Sequence, residues 1–392
     1  MSLAGPRASP AAASAPLPVR VLARAGRLSC FCPAGAPVEG APVEGVWRGV
    51  IALAAGFAAS VLSQTLVLGL APLAGLMLAP RPALAVLPLV ALLLGAALAT
   101  FPASILLDAF GRRASFALGA SHGLAGALVC AWALSANAFP ALLLGMFWMG
   151  VAQGFSLFYR HEAAIGATGS QRALAIGLVF GAGGLAGVGG PAIADFASGF
   201  SATSYVGLAA AAGAAQGLAF CLAAFTSRRL PVSPVAAAPA PRRWSRMAAP
   251  TLVGALAWFA MNLVMLAAPF SMIGCGVAAA GIFGAVAWHV VAMYAPALLL
   301  APMSGRVSPR MLAALGLCVV ALALVVFMNA REGAGFSAAL VLLALGWCLA
   351  TTAATLWLHE DAAPDRLMLA AHDATLFACA IAGALAAYPF AG

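Results

Sequence analysis

Eleven apolar runs, each long enough to cross a lipid bilayer, constrain this chain more than any other feature. They fall at about 48–70, 84–105, 114–134, 138–158, 173–194, 203–225, 250–272, 281–303, 310–329, 336–358 and 367–389. A helix rises about 1.5 Å per residue and a hydrocarbon core is about 30 Å thick, so about twenty apolar residues make one crossing. Helices satisfy every backbone amide within the segment, as lipid demands. No soluble core absorbs this much apolar chain. Of the residues, 64% are hydrophobic and 7% charged, against roughly 45–50% and about 25% in ordinary domains, and the mean hydropathy is +1.06. The expected fold class is an all-α polytopic membrane protein, with the lipid bilayer as its first partner.

All 19 basic residues are arginines, and the formal charge is +9. Their positions exclude the nucleic-acid reading of a basic chain, because they alternate from one side of the spans to the other. With a cytoplasmic N-terminus, only Arg81 and Arg331 lie outside and the other arginines lie inside, as the positive-inside bias requires. The expected organisation is a cytoplasmic tail over 1–46, disordered and rich in Ala, Pro and Arg, then a six-helix bundle over 47–225. A basic cytoplasmic linker over 226–249 follows, and then a C-terminal bundle over 250–392. Two halves joined by a basic loop suggest a secondary transporter with its substrate near the midplane.

Between spans two and three stands Leu107-Asp108-Ala109-Phe110-Gly111-Arg112-Arg113. An acid ending a span can pair with the loop arginines and hold one state of a rocking bundle; otherwise Arg112 and Arg113 only set topology. From Asp108 onward the stretch resembles the signature loop of the major facilitator superfamily, Gly-x-x-x-Asp-x-x-Gly-Arg-Arg, with Ser104 in place of the first glycine. The resemblance implies two helical bundles, twelve spans where eleven are read, and gating by Asp108, Gly111, Arg112 and Arg113. Span five carries Gly181, Gly183, Gly184, Gly187, Gly189, Gly190 and Pro191, a packing and hinge pattern. Tyr159-Arg160-His161-Glu162 ends span four and is expected at the cytoplasmic interface.

The seventh and eighth spans offer chemistry. Met261 and Met265 on one, His289 and Met293 on the other, are each four residues apart, which stacks both side chains on one helix face about 6 Å apart. Thioether and imidazole suit a soft cation such as Cu(I). The alternatives are a histidine satisfied by a neighbouring carbonyl and methionines that only fill space. Met261-Asn262-Leu263-Val264-Met265 and Trp288-His289-Val290-Val291-Ala292-Met293-Tyr294-Ala295-Pro296 resemble the two motifs of the CcoA-type copper importers, a bacterial branch of the superfamily. That resemblance implies copper uptake through the inner membrane for cbb3-type cytochrome oxidase, with copper as the transported substrate and cytoplasmic copper-handling or oxidase-assembly proteins as partners. A sister branch resembles riboflavin transporters and shares the His-containing helix.

Cys275, in the outer loop between the two ligand helices, is expected to receive copper first, and Cys379 in span eleven is a weaker metal ligand. Cys30 and Cys32 lie in the tail. His372-Asp373 reads either as a proton or ion relay or as a helix cap after Pro364. No group is arranged for covalent catalysis, no prosthetic group is implied, and no nucleotide motif is present. An enzyme and an ATP-driven pump are therefore not expected. Two rival classes stand beside copper import. An organic-solute transporter, riboflavin first, would stack its cargo on Trp258, Trp288 and Tyr294. A sensor or assembly factor would move nothing.

Overall fold

The computed structural model describes residues 43–167, 170–199, 205–226, 244–303, 307–360 and 364–387. Cys30, Cys32 and most of the basic linker lie outside these residues. The regular elements are helical: α1 (Val43–Leu78), α2 (Leu87–Ser135), α3 (Phe139–Ser156), α4 (Phe158–Gly166), α5 (Ser170–Ala182), α6 (Gly184–Ser198) and α7 (Val206–Ala223), then α8 (Ser245–Gly274), α9 (Ala279–Tyr294), α10 (Pro296–Met303), α11 (Pro309–Asn329), α12 (Gly333–Leu358) and α13 (Arg366–Ala386). Each run read from the sequence coincides with one of these helices or a consecutive pair.

Nine described segments are long and apolar enough to cross a membrane. The longest, Pro82–Ser135, spans 54 residues, about twice what one crossing needs. It folds back on itself. Gly111 has φ 78° and ψ −178°, a left-handed backbone that glycine adopts without cost, and it divides α2 into two arms. On the first arm Leu92 and Ala96 lie against Gly150 and Gly154 of α3, in parallel order. On the second, Gly119 meets Phe155 and Gly126 meets Met149, in reverse order. The arms therefore run in opposite directions against two different faces of α3, and the signature loop is the turn between them.

Small residues set the helix spacing, as expected where lipid removes the hydrophobic drive and van der Waals contact takes over. The glycines of span five are such a stripe. Gly183 faces the Tyr294 ring, Gly184 faces Ala295 and Gly187 faces the Val291 backbone, so α5 and α6 sit directly on α9 and α10. Gly150 is tighter still, since a Cβ there would collide with the Leu92 carbonyl. Gly150→Ala is expected to destabilise the protein by about 1–3 kcal/mol through overpacking, read as a lower melting temperature in detergent. Gly217→Ala, whose Cβ meets nothing within 4 Å, is expected to leave it unchanged or raise it.

Candidate functional site

Polar chemistry gathers at two levels. The first is a buried ionic layer at the end of the bundle that carries the Gly111 turn. Here the signature arginines find partners far along the chain. Arg112 Nε donates to Glu162 Oε2 at 2.6 Å, and Arg366 Nη2 to Glu162 Oε1 at 2.7 Å. Arg366 also pairs with Asp108, and Arg113 donates to the Thr226 carbonyl at 2.6 Å. The acid of the loop thus pairs with the first residue of α13 and not with its own loop arginines, a correction to the expected gate. The turn at Gly111 carries Arg112 inward beneath Glu162, leaving Asp108 at the rim.

Deeper in the layer, Arg160 Nη2 donates to Asp373 Oδ1 at 2.6 Å. His161 Nε2 lies 3.3 Å from Asp373 Oδ2, and its Nδ1 lies 3.3 Å from His359 Nε2. His372 instead meets the Thr251 hydroxyl at 2.8 Å. The run Tyr159-Arg160-His161-Glu162, expected at the cytoplasmic interface, is wholly buried: Tyr159 packs on Phe57 and Phe116, Arg160 and His161 meet Asp373, and Glu162 lies between Arg112 and Arg366. His372 and Asp373 do not cap α13. That role falls to Asp365, whose carboxylate accepts from the Leu367 amide.

The second level is a cavity of about 310 Å³. Its walls are helix faces at 3.6-residue spacing: Trp258, Met261, Met265 and Pro269 on α8; Val286, His289 and Met293 on α9; Gln64, Leu68 and Pro72 on α1. From Trp258 it runs toward the end of α8 and the start of α9, away from the ionic layer. All four Met and His residues read from the sequence line it. Cys275 caps α8 and is exposed, Cys379 is half-buried on α13, and neither is among the lining residues. Trp288, expected to stack on an organic cargo, is 67% exposed. It sits one residue from His289, about 100° around the helix, and faces outward.

The floor of the cavity is aromatic. Trp347 of α12 lies 5.4 Å from Trp258, 5.9 Å from Tyr294 and 5.6 Å, stacked, from Phe180. Phe57 stacks on Phe180 in turn at 5.7 Å. Beneath, Tyr159 stacks on Phe116 at 3.9 Å and leads into the ionic layer. His289 Nδ1 donates to the Leu340 carbonyl at 2.7 Å, as a satisfied histidine would. That bond fixes the tautomer and leaves Nε2 as an acceptor. Among the described residues Nε2 has no partner, nor do the indole N–H groups of Trp258 and Trp347 or Oε1 of Gln153. Every one of these residues lines the cavity.

Sequence reasoning missed Trp347, Gln153 and Gln64, although amides inside apolar runs are a recognisable signal. It also missed Arg366 and His359, whose importance lies in partners distant in sequence. No group of three or more His, Cys, Asp or Glu able to hold a metal exists among the described residues.

A buried ion pair that loses one partner strands a charge, at about 3–5 kcal/mol, whereas an exposed pair is worth about 0–1 kcal/mol. Glu162 is fully buried and holds two arginines; Glu360 is exposed and lies 3.7 Å from Arg310. Thermal denaturation in detergent is expected to separate them, with Glu162→Gln melting far lower and Glu360→Gln close to wild type.

No family model matches the chain. It is 30% identical over 319 residues to the riboflavin transporter RfnT of Brucella anthropi, covering 76% of this chain and 77% of that protein. Among solved structures it resembles the human organic anion transporter MFSD10, with a TM-score of 0.56, 16% identity and coverage of 90% of this chain and 98% of that one. It also resembles XylE, a proton:xylose symporter of the major facilitator superfamily, with a TM-score of 0.61, 11% identity and coverage of 88% and 87%. The solved structures show a shared fold, that of major facilitator superfamily transporters, and the sequence match shows the family: the chain belongs with the riboflavin transporter RfnT.

Proposed function

We propose that this secondary transporter carries a flat, polar, aromatic solute of the riboflavin class across the bacterial inner membrane, its N-terminus cytoplasmic as the arginine distribution favours. The observation that carries the reading is the cavity floor. Trp258, Trp347 and Tyr294 line it together, with Trp347 5.4 Å from Trp258 and 5.9 Å from Tyr294, and stacking a ring system on such side chains is worth about 1–3 kcal/mol per ring. The unpartnered atoms around them are two donors and two acceptors, His289 Nε2 and Gln153 Oε1 being the acceptors. An imide edge carries a donor N–H between carbonyl acceptors and answers both kinds. The volume lies at the lower end of small-molecule pockets, about 300–1,000 Å³. Alternating access then turns on the ionic layer, where opening parts Asp108 and Glu162 from Arg366.

One observation favours a second reading, copper import: Met261, Met265, His289 and Met293 share one cavity. Against it stand the cavity's size, far larger than the shell around a single ion, and a relative that is a riboflavin transporter. Radiolabelled riboflavin and copper uptake, in cells expressing matched amounts of each variant, separates the two. Riboflavin uptake is expected in wild type, to fall at least fivefold in Trp347→Ala and in His289→Ala, and to stay within about threefold in Met265→Leu, a near-isosteric apolar exchange. Copper uptake that collapses in Met265→Leu, with no riboflavin uptake in wild type, would reverse the assignment.

A further inference from the structure

The histidines of the ionic layer take no part in the cavity, yet their surroundings give them a chemistry of their own. His161 of α4 and His359, which follows α12, are both 0% exposed and face each other at 3.3 Å between Nδ1 and Nε2. Around them stand Arg160 and Glu162 of α4, Arg172 of α5, which donates to the His359 carbonyl, and His372 and Asp373 of α13. Further out the layer adds Arg112, Arg366 and Asp108. Among the described residues Arg112, Arg160 and Arg366 pair with Asp108, Glu162 and Asp373, while Arg172 adds a cation beside His359.

The proton is opposed at His359 and not at His161: Asp373 gives Oδ1 to Arg160 at 2.6 Å and turns Oδ2 to His161 Nε2 at 3.3 Å, so it answers the N–H of a neutral His161 and offers nothing to His359. In either tautomer one nitrogen of each ring faces the other ring, and His359 Nδ1 has no partner among the described residues. A doubly protonated His359 would bury an unanswered N–H and an uncompensated charge. Burial, followed by the neighbouring His161, Arg172 and Arg160, holds the His359 imidazole well below the ordinary histidine range. Water reaching the layer removes the desolvation that excludes the proton.

We infer that the His161–His359 pair is a proton-sensing site, neutral while this end of the transporter is closed and protonated when it opens, so that acid on this side holds it open. The sign follows from linkage. The open state binds the extra proton, so closure is favoured above the free histidine value of about 6.5 and is lost as the pH falls below it. One proton changes the open-to-closed ratio by up to about tenfold per pH unit. His372 lies to the side, bonded to Thr251, with its ring 6.4 Å from that of His161.

The test needs no cargo, so it stands apart from the riboflavin reading. Spin labels on Phe110→Cys and Met311→Cys, both exposed sites, in an otherwise cysteine-free full-length chain in lipid nanodiscs, report the separation of the two sides by pulsed electron resonance. Between pH 8 and pH 5.5 the wild-type background is expected to move from short to long distances, with a midpoint near the free histidine value. His161→Gln and His359→Gln, which keep a hydrogen-bonding amide, are expected to stay short throughout. His122→Gln, away from the layer, is expected to follow the wild type. Distances in the wild-type background that ignore pH, or a pH response that persists in both glutamine variants, would overturn the proposal. Glutamine variants open at every pH would make the pair a structural brace and overturn it equally.

Discussion

Glu162 is the residue on which the closed end of the bundle depends. It is wholly buried, and it holds Arg112 from the signature turn and Arg366 from the start of α13 at the same time. Taking three arginines out of water is costly, and pairing recovers that cost only when each guanidinium meets its acid at short range. Here the partners lie 50, 204 and 213 residues apart in sequence, for Arg112 with Glu162, Arg366 with Glu162 and Arg160 with Asp373. The layer is therefore complete only when the first seven helices and the last six meet. Such pairs contribute little to net stability but distinguish sharply between met and parted, which suits a two-state element.

The aromatic floor is tied to the same event. Phe57 and Phe180 come from α1 and α5, and Trp258, Tyr294 and Trp347 from α8, α9 and α12, with Phe57 5.9 Å and Phe180 5.2 Å from the Tyr294 ring. The glycines of α5 and α6 permit that approach, since side chains there would hold α9 and α10 away. Floor and ionic layer are consecutive sheets of one closure, the first apolar and the second charged.

The sequence made legible whatever is local. Helix positions follow from apolar run length, and the turn between spans two and three from a glycine beside paired arginines. The cavity faces of α8 and α9 follow from four-residue spacing, which puts Met261 with Met265 and His289 with Met293 on one side whatever surrounds them. What resisted was choice among distant partners. Asp108 has arginines four and five residues away, yet Arg366, 258 residues on, takes it. Trp288 and Trp347 are alike in composition and context, and only the packing of α12 against α8 and α9 turns one inward while the other faces out. Arg160, His161 and Glu162 follow one another at the end of a span, but their burial against partners from distant helices is not legible from the run itself.

The chemistry of the cargo turns on donors more than on acceptors. His289 Nε2, freed by the bond from Nδ1 to Leu340, serves a soft cation as readily as an imide N–H, and the methionines around it favour neither. The indole N–H groups of Trp258 and Trp347 are different, because an indole nitrogen donates and never accepts. Two such donors left unanswered beside a cavity among the described residues call for an oxygen acceptor on the ligand, which a bare cation does not supply. The planar heteroaromatic solute proposed above meets donors and acceptors together, which a bare cation does not. The floor residue that sequence reading passed over, Trp347, therefore bears more on the choice of cargo than the Met and His pairs that first drew attention to these two helices.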